Sequence, residues 1–219
     1  MAAGRLTATR QVMILHATTS DEDLLRLVRE GDESAFTALY RRRQGSIYRF
    51  ALQMSGSQAV AEDVTQEVFI ALMRADSGYD PAKGTLSAYL YGIARNHVLR
   101  HLDRDRHLVP IAEHADGGDA STPAAFIVEA DPLGDLTRNE MIEAVRQSVL
   151  ALPAHYREVV VMCDLHEMSY DEAAAALDCA VGTVRSRLHR GRALLVERLR
   201  AARRADPETE GKSLTRCIA

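Results

Sequence analysis

Apolar residues recur three and four positions apart along almost the whole chain, and no stretch alternates apolar and polar residues as a half-buried strand would. The pattern predicts an all-α fold. Ser20, with Asp23 three residues on, caps a first helix carrying Leu24, Leu25 and Val28, and Gly31 stops it. A second helix over about 33–54 sets Phe36, Leu39, Tyr40, Ile47, Phe50 and Ala51 along one side, and Gly56 ends it. A third helix follows over about 58–74. After the loop "DSGYDPAKGT", marked by its Gly, Pro and Asp content, comes a fourth over about 86–104.

Between 105 and 135 the periodicity collapses into a stretch rich in Gly, Ala, Asp and Pro, "EHADGGDASTPAAFIVEADPLGD". This predicts a flexible linker joining two helical domains, 20–104 and 136–204. Residues 1–19 read as an unstructured leader, with Met13 an alternative start, and 205–219 as an unstructured tail. There is no internal repeat.

Charge sharpens this division. The chain as a whole carries a formal net charge of -4, but residues 180–204 hold eight arginines against Glu197 alone, a net +7. Residues 105–138 carry a net -5. A basic helix after an acidic linker points to nucleic acid. No run approaches the roughly 20 apolar residues of a membrane-spanning helix, and "VMIL" near the start is too short for a secretory signal. Cys163, Cys179 and Cys217 are far apart, with no CxxC pair or His/Cys cluster, which indicates neither disulfide framework nor zinc site and fits a reducing cytoplasm. No nucleophile with a base, metal cluster or Gly-rich phosphate loop stands out, so neither catalysis nor a cofactor or metal is expected.

"MSYDEAAAALDCAVGTVRSRLHRGRALL" has the grammar of a helix-turn-helix. Ser169 with Glu172 forms a capping box, and Ala173, Ala174 and Leu177 face inward, small enough for close approach of a second helix. "DCAVG" supplies the turn. On the following helix Val184, Leu188, Gly191 and Leu195 share the core face, while Arg185, Ser186, His189, Arg190 and Ala193 face out. Arginine can fork onto guanine edges or phosphates, and Thr183 and Ser186 near the helix start suit backbone contacts. Arg187 and Arg192, at the flanks, are expected to touch phosphate or solvent. The alternative, a merely solvated arginine face, is weakened by the capped helix, the tight turn and the near absence of acids.

Two further helices carry unusual outer faces. In 58–74, Val64, Val68, Ala71, Leu72 and Ala75 suit the core, while Asp63, Gln66, Glu67 and Ile70 share another face with Phe69 on its flank. A mixed acidic and apolar patch suits a docked protein. In 86–104, Leu86, Leu90, Ile93, Ala94 and His97 form the inner stripe, and His97 and His101 read as core histidines. Tyr89, Gly92, Asn96, Arg100 and Asp103 lie outward, with Arg95 at the edge, a face suited to stacking and hydrogen bonding with unpaired bases.

Together and in this order, "AEDVTQEVFIALMR", "GTLSAYLYGIARNHVLRHLDR" and "LPAHYREVVVMCDLHEMSYDEAAAALDCAVGTVRSRLHRGRALL" resemble regions 2.2, 2.3–2.4 and 4 of the sigma-70 family of bacterial transcription initiation factors. The resemblance is to the compact extracytoplasmic-function (ECF) subgroup, which has only the sigma-2 and sigma-4 domains, and covers about residues 21–200. It implies an alternative sigma factor that binds core RNA polymerase and directs it to promoters. Asp63, Gln66, Glu67 and Ile70 would then dock on the β′ clamp helices, and the β flap would be a second contact on the polymerase. Tyr89, Gly92, Asn96 and Arg100 would engage the -10 element, with a flipped base held by the loop over 76–85. Thr183, Arg185, Ser186, His189 and Arg190 would read the -35 element, and the acidic linker would thread the polymerase channels. The resemblance also implies an anti-sigma factor as partner and no membrane insertion. Leu86 and Tyr89 stand where many relatives have Phe and Trp. A stand-alone helix-turn-helix regulator would bind duplex DNA as a dimer and has no use for the acidic linker or the outer patch of 58–74. A decoy that titrates an anti-sigma factor has no use for the arginine face.

Overall fold

The computed structural model describes residues 19–74, 78–107 and 132–205. The expected leader, apart from Thr19, the middle of the expected linker and nearly all of the expected tail lie outside the described residues. Those described form eight α-helices and no strand: α1 (Asp21–Arg29), α2 (Glu33–Ser55), α3 (Gln58–Met73), α4 (Leu86–His107), α5 (Pro132–Leu150), α6 (Ala154–Val160), α7 (Tyr170–Leu177) and α8 (Val181–Ala205). A short 3₁₀ turn, Pro81–Lys83, precedes α4, and a π turn, Val161–Leu165, continues α6. Helix thus occupies both ends of the expected 105–135 linker, since α4 runs to His107 and α5 starts at Pro132.

Short polar side chains start the helices by accepting from amides that have no partner within the helix. Ser20 accepts from the Asp23 N–H at 3.1 Å, and Asp32 from those of Ser34 and Ala35 at 2.8 and 3.1 Å. Gly56 closes α2 at φ 75°, and a Cβ there would lie 3.0 Å from the Leu150 side chain, so the glycine serves both the cap and the packing of α5. In the first half α2 packs on α1, α3 and α4 around Leu24, Leu39, Ile47, Phe50, Val68, Leu90 and Val98, all fully buried. Each such side chain contributes roughly 1.5–3 kcal/mol relative to exposure. Asp21 is 6% exposed and ties α1 to α2: it accepts from Arg42 Nη1 at 2.6 Å and from Arg43 Nε. Next to it, Glu22 Oε1 accepts the Leu86 N–H at 3.3 Å and so orients the start of α4.

The second half packs α6 and α7 on α8, with Leu152, Val159, Val160, Met162, Leu177, Val184 and Leu188 buried. Its core is continuous with that of the first half. α4 lies against α7, and α2 against α5, α6 and the π turn. Across this seam Tyr91 Oη and His166 Nδ1 are 2.8 Å apart, and His166 Nε2 is 2.9 Å from Gln53 Oε1. A neutral ring protonated on Nε2 satisfies both contacts: it donates to the Gln53 oxygen and accepts from the tyrosine hydroxyl. Arg157 donates to the carbonyls of Met54 at 2.5 Å and Leu152 at 3.0 Å, so one guanidinium serves backbone on both sides of the seam.

Two expectations about stability follow. Helix propensity alone says that Gly191→Ala stabilises α8 by about 1 kcal/mol. A Cβ at 191, however, would lie 2.8 Å from Val160 Cγ2 and 3.4 Å from the Tyr156 carbonyl oxygen. Because Val160 is 1% exposed and has nowhere to go, overpacking wins, and urea unfolding should show a net loss of about 1–2 kcal/mol. The second concerns His166, whose pKa is lowered to about 4 by burial and, less strongly, by Arg49. The folded form therefore binds fewer protons than the unfolded chain below the ordinary histidine value of 6.5. The neutral-histidine contribution is full above that value and is lost as pH falls toward about 4. The stability gap between wild type and His166→Gln, which share every other titrating group, should narrow in urea unfolding between about pH 7 and about pH 5.

Candidate nucleic-acid interface

The helix-turn-helix is built as its sequence indicates. Ser169 Oγ accepts the Glu172 N–H at 3.2 Å while Glu172 Oε2 accepts the Ser169 N–H at 3.0 Å, so two orphan amides are satisfied reciprocally. Asp178 ends α7 in the left-handed region, φ 49°, a conformation its short polar side chain tolerates, and the chain turns into α8. Ala173, Ala174 and Leu177 are buried on one side of the motif and Val184 and Leu188 on the other.

Ion pairing, more than burial, separates two kinds of arginine on α8. Arg185, Ser186, His189 and Arg190 are exposed, and Thr183 is half-buried at the helix start. The Ser186 hydroxyl donates to the Thr183 carbonyl at 3.0 Å, and the Arg185 guanidinium lies 5.7 Å from the centre of the Tyr170 ring. Such a cation–π contact restricts the arginine while leaving its N–H groups for a ligand. Tyr170 escapes the wheel because it sits on the preceding helix.

Arg187 and Arg192 both form ion pairs within the chain, Arg192 while 54% exposed. Arg187 Nη1 meets Glu158 Oε1 at 3.2 Å, and Arg192 forks onto Asp164 with bonds of 3.0 and 2.5 Å. The hydrogen bond to Asp164 raises the already high Arg192 pKa. These two residues brace α8 against α6 and the π turn. The wheel could not show this, since both acids come from segments before the motif.

On α4 the outward set divides. Asn96, Arg100 and Asp103 are exposed, and Asn96 Oδ1 accepts from Arg95 Nη1 at 3.4 Å. Tyr89 is half-buried, its ring 5.5 Å from that of Tyr79, and burial raises the pKa of both hydroxyls. Gly92 is half-buried: a Cβ there would lie 3.2 Å from the Ala176 carbonyl oxygen, so α7 packs closely on this position. Arg95 points its Nε at Glu158 Oε2, 2.6 Å away. A wheel treats one helix at a time and misses a neighbour from the other half. In the loop ahead of α4, Asp80 caps the 3₁₀ turn by accepting the Ala82 N–H at 3.0 Å, while 76 and 77 lie outside the described residues. His97 and His101 are half-buried, and burial lowers the His97 pKa.

On α3, Asp63, Gln66, Glu67 and Ile70 are all exposed, and Met73, 60% exposed, extends the apolar part of this face. Phe69 is not on its flank but 3% exposed, packed 4.7 Å from the Tyr40 ring in the interior. Beside it runs an open groove between α2 and α3 lined by Tyr40, Gln44, Tyr48 and Gln66. Among the described residues no group of His, Cys, Asp and Glu side chains is arranged to hold a metal, and no helix is long and apolar enough to cross a membrane.

Comparison with known proteins agrees with this layout. Residues 39–107 match the family model for sigma-70 region 2, and residues 142–195 the one for sigma-70 region 4. The ECF RNA polymerase sigma factor SigE of Mycolicibacterium smegmatis is 36% identical over 169 residues, 74% of this chain and 62% of its own length. SigW of Bacillus subtilis is 31% identical over 80% of this chain and 95% of its own. The ECF sigma-E factor of Escherichia coli is 30% identical over 79% of this chain and 91% of its own. Among solved structures, CnrH in complex with the cytosolic domain of CnrY superposes with a TM-score of 0.60 at 25% identity, covering 84% of this chain and 99% of that one. The sigma factor RpoE of Bartonella quintana, in complex with the anti-sigma factor NepR, gives 0.51 at 23% identity over 72% of this chain and 91% of its own, a likeness of fold. The chain belongs to the sigma-70 family of RNA polymerase sigma factors, in its extracytoplasmic-function group.

Proposed function

We propose that this chain is an alternative sigma factor that binds core RNA polymerase, carries it to particular promoters and promotes DNA melting there. Residues 20–104 form the domain for the polymerase and the -10 element, and 136–204 the domain for the -35 element. The observation that carries this reading is the exposed row Arg185, Ser186, His189 and Arg190 on a helix whose opposite face is buried. Such a helix can enter a major groove without unfolding its own domain. Thr183, half-buried at the N-terminal end, suits a phosphate contact.

On α4, Asn96 and Arg100, with Tyr89 stacked beside Tyr79, support contact with the -10 strand once it is unpaired. Gly92 belongs to that surface only when α7 has moved away from it. The acidic and apolar face of α3, with Asp63, Gln66, Glu67 and Ile70, supports docking on the β′ clamp helices, with the β flap a further contact for the second domain. Polymerisation belongs to the partner enzyme. An anti-sigma protein is the proposed antagonist, on the ground of family membership, and the cytoplasm, where polymerase and promoters meet, is the proposed compartment.

Run-off transcription with core polymerase on a promoter taken from upstream of the protein's own gene tests the whole reading. Transcript above that of core alone is expected, and none across several candidate promoters sinks it. Arg190→Ala should weaken binding to the -35 element by about 1–3 kcal/mol and relax base preference at one position, checked by competition gel shift. An unchanged preference removes Arg190 from the reading face. Glu67→Lys should lower affinity for core polymerase in a pull-down titration while leaving the -35 affinity of the free chain unchanged, because α3 and α8 offer separate faces. Both DNA-binding measurements should weaken steeply with added salt, since phosphate contacts supply most of the affinity.

A further inference from the structure

The first four arginines of α8 are held in two ways. Arg187 and Arg192 sit on carboxylates, those of Glu158 and Asp164. Arg185 and Arg190 are exposed and take part in no ion pair among the described residues. Arg185 nevertheless has a neighbour that holds it. Its guanidinium carbon lies 5.7 Å from the centre of the Tyr170 ring, within the roughly 6 Å over which a cation and an aromatic face attract.

The ring is anchored through its backbone and not through the core. Tyr170 is the first residue of α7, next to the Ser169 cap, and the reciprocal bonds between Ser169 and Glu172 fix the backbone that carries it. It is 37% exposed, so burial does not explain an aromatic side chain at this position. The pKa of Arg192 is raised chiefly by its hydrogen bond to Asp164 and in smaller part by Tyr170, which places the tyrosine beside the anchored arginine as well as over Arg185. A carboxylate in place of the ring would pair with Arg185 and cancel a charge that DNA needs. A ring holds the guanidinium by its face and leaves both its charge and its in-plane N–H groups.

Reading a base edge requires two N–H groups to stand in one place at once, whereas a phosphate accepts from many directions. An unrestrained arginine loses its rotamer freedom only on binding, and that loss weakens the contact that needs exact placement. We propose that Tyr170 is a specificity-determining positioning residue: its ring holds the Arg185 guanidinium at one place on the exposed side of α8, so that Arg185 reads a base of the -35 element instead of a phosphate. The inference rests on the sigma-factor reading. Within it the two readers differ, since Arg185 is placed before DNA arrives and Arg190 is placed by the DNA.

The test uses holoenzyme reconstituted from the full chain and core polymerase, with run-off transcription from a promoter set in which each base pair of the -35 element is substituted in turn. Arg185→Ala and Arg190→Ala identify the position that each arginine reads. Tyr170→Leu should lower discrimination at the Arg185 position roughly two- to fivefold, the range an exposed cation–π contact supports, and leave the Arg190 position as in wild type. Tyr170→Phe, which keeps the ring and loses the hydroxyl, should retain the wild-type preference. Tyr170→Leu combined with Arg185→Ala should discriminate no worse than Arg185→Ala alone. A Phe variant as relaxed as the Leu variant overturns the inference, because the hydroxyl then acts on the DNA itself. So do additive effects in the double variant, an unaltered preference in Tyr170→Leu, or an Arg185→Ala that relaxes no position. Should Tyr170→Leu lose its helical circular dichroism, Tyr170→Gln replaces it in every comparison. A wild-type holoenzyme that makes no transcript from any promoter sinks the sigma-factor reading instead.

Discussion

A carboxylate taken almost wholly out of water costs several kcal/mol unless cations meet it there, and Glu158 is that carboxylate. Its two oxygens are divided between Arg95 and Arg187, one from each half of the chain. Replacing either arginine by a neutral side chain would leave a half-neutralised charge in the interior, so the positions of α4, α6 and α8 are coupled. Asp21 repeats the device at the other end of the first half, where Arg42 and Arg43 meet on one aspartate at the start of α1. Both acids stand where helices converge, and both fix angles that apolar packing alone would leave adjustable.

This coupling explains why the arginines of α8 are not equivalent. Those held by Glu158 and Asp164 serve the protein's own structure, and Arg185 and Arg190, outside these ion pairs, are left to serve a ligand. Tyr170 occupies a middle position. It touches Arg185 through the face of its ring and so narrows the range of that side chain without neutralising its charge. A helix with every arginine free would bind DNA more strongly and less selectively, since unrestrained charges favour any phosphate.

Local chemistry made much of this legible in sequence. The Ser169–Glu172 capping box, the Gly56 stop and the buried stripe of Val184 and Leu188 are all determined within about one or two helical turns, the range over which periodicity and capping rules operate. What escaped is long-range. Glu158 and Arg95 are 63 positions apart, and Tyr91 and His166 75, so no wheel on one helix could pair them or show that α7 covers Gly92. Phe69 failed for a related reason: its face of α3 meets the Phe36 and Tyr40 rings of α2, which turns a flank into interior. The π turn after α6 has no local signature in "VMCDL", yet it sets Asp164 opposite Arg192 and His166 opposite Tyr91.

The character of the seam follows from what each half must do alone. Within the halves, large side chains such as Phe50, Leu39 and Leu188 interlock, and separating them would unfold a domain. Between the halves apolar and polar contacts mix: Leu150 lies against Gly56, the His166 ring packs on those of Phe50 and Tyr91, a glycine meets a backbone carbonyl, and an arginine still 23% exposed sits on a buried glutamate. Apolar packing thus runs across the seam as well as within each half, and the polar contacts set the angle at which the halves meet.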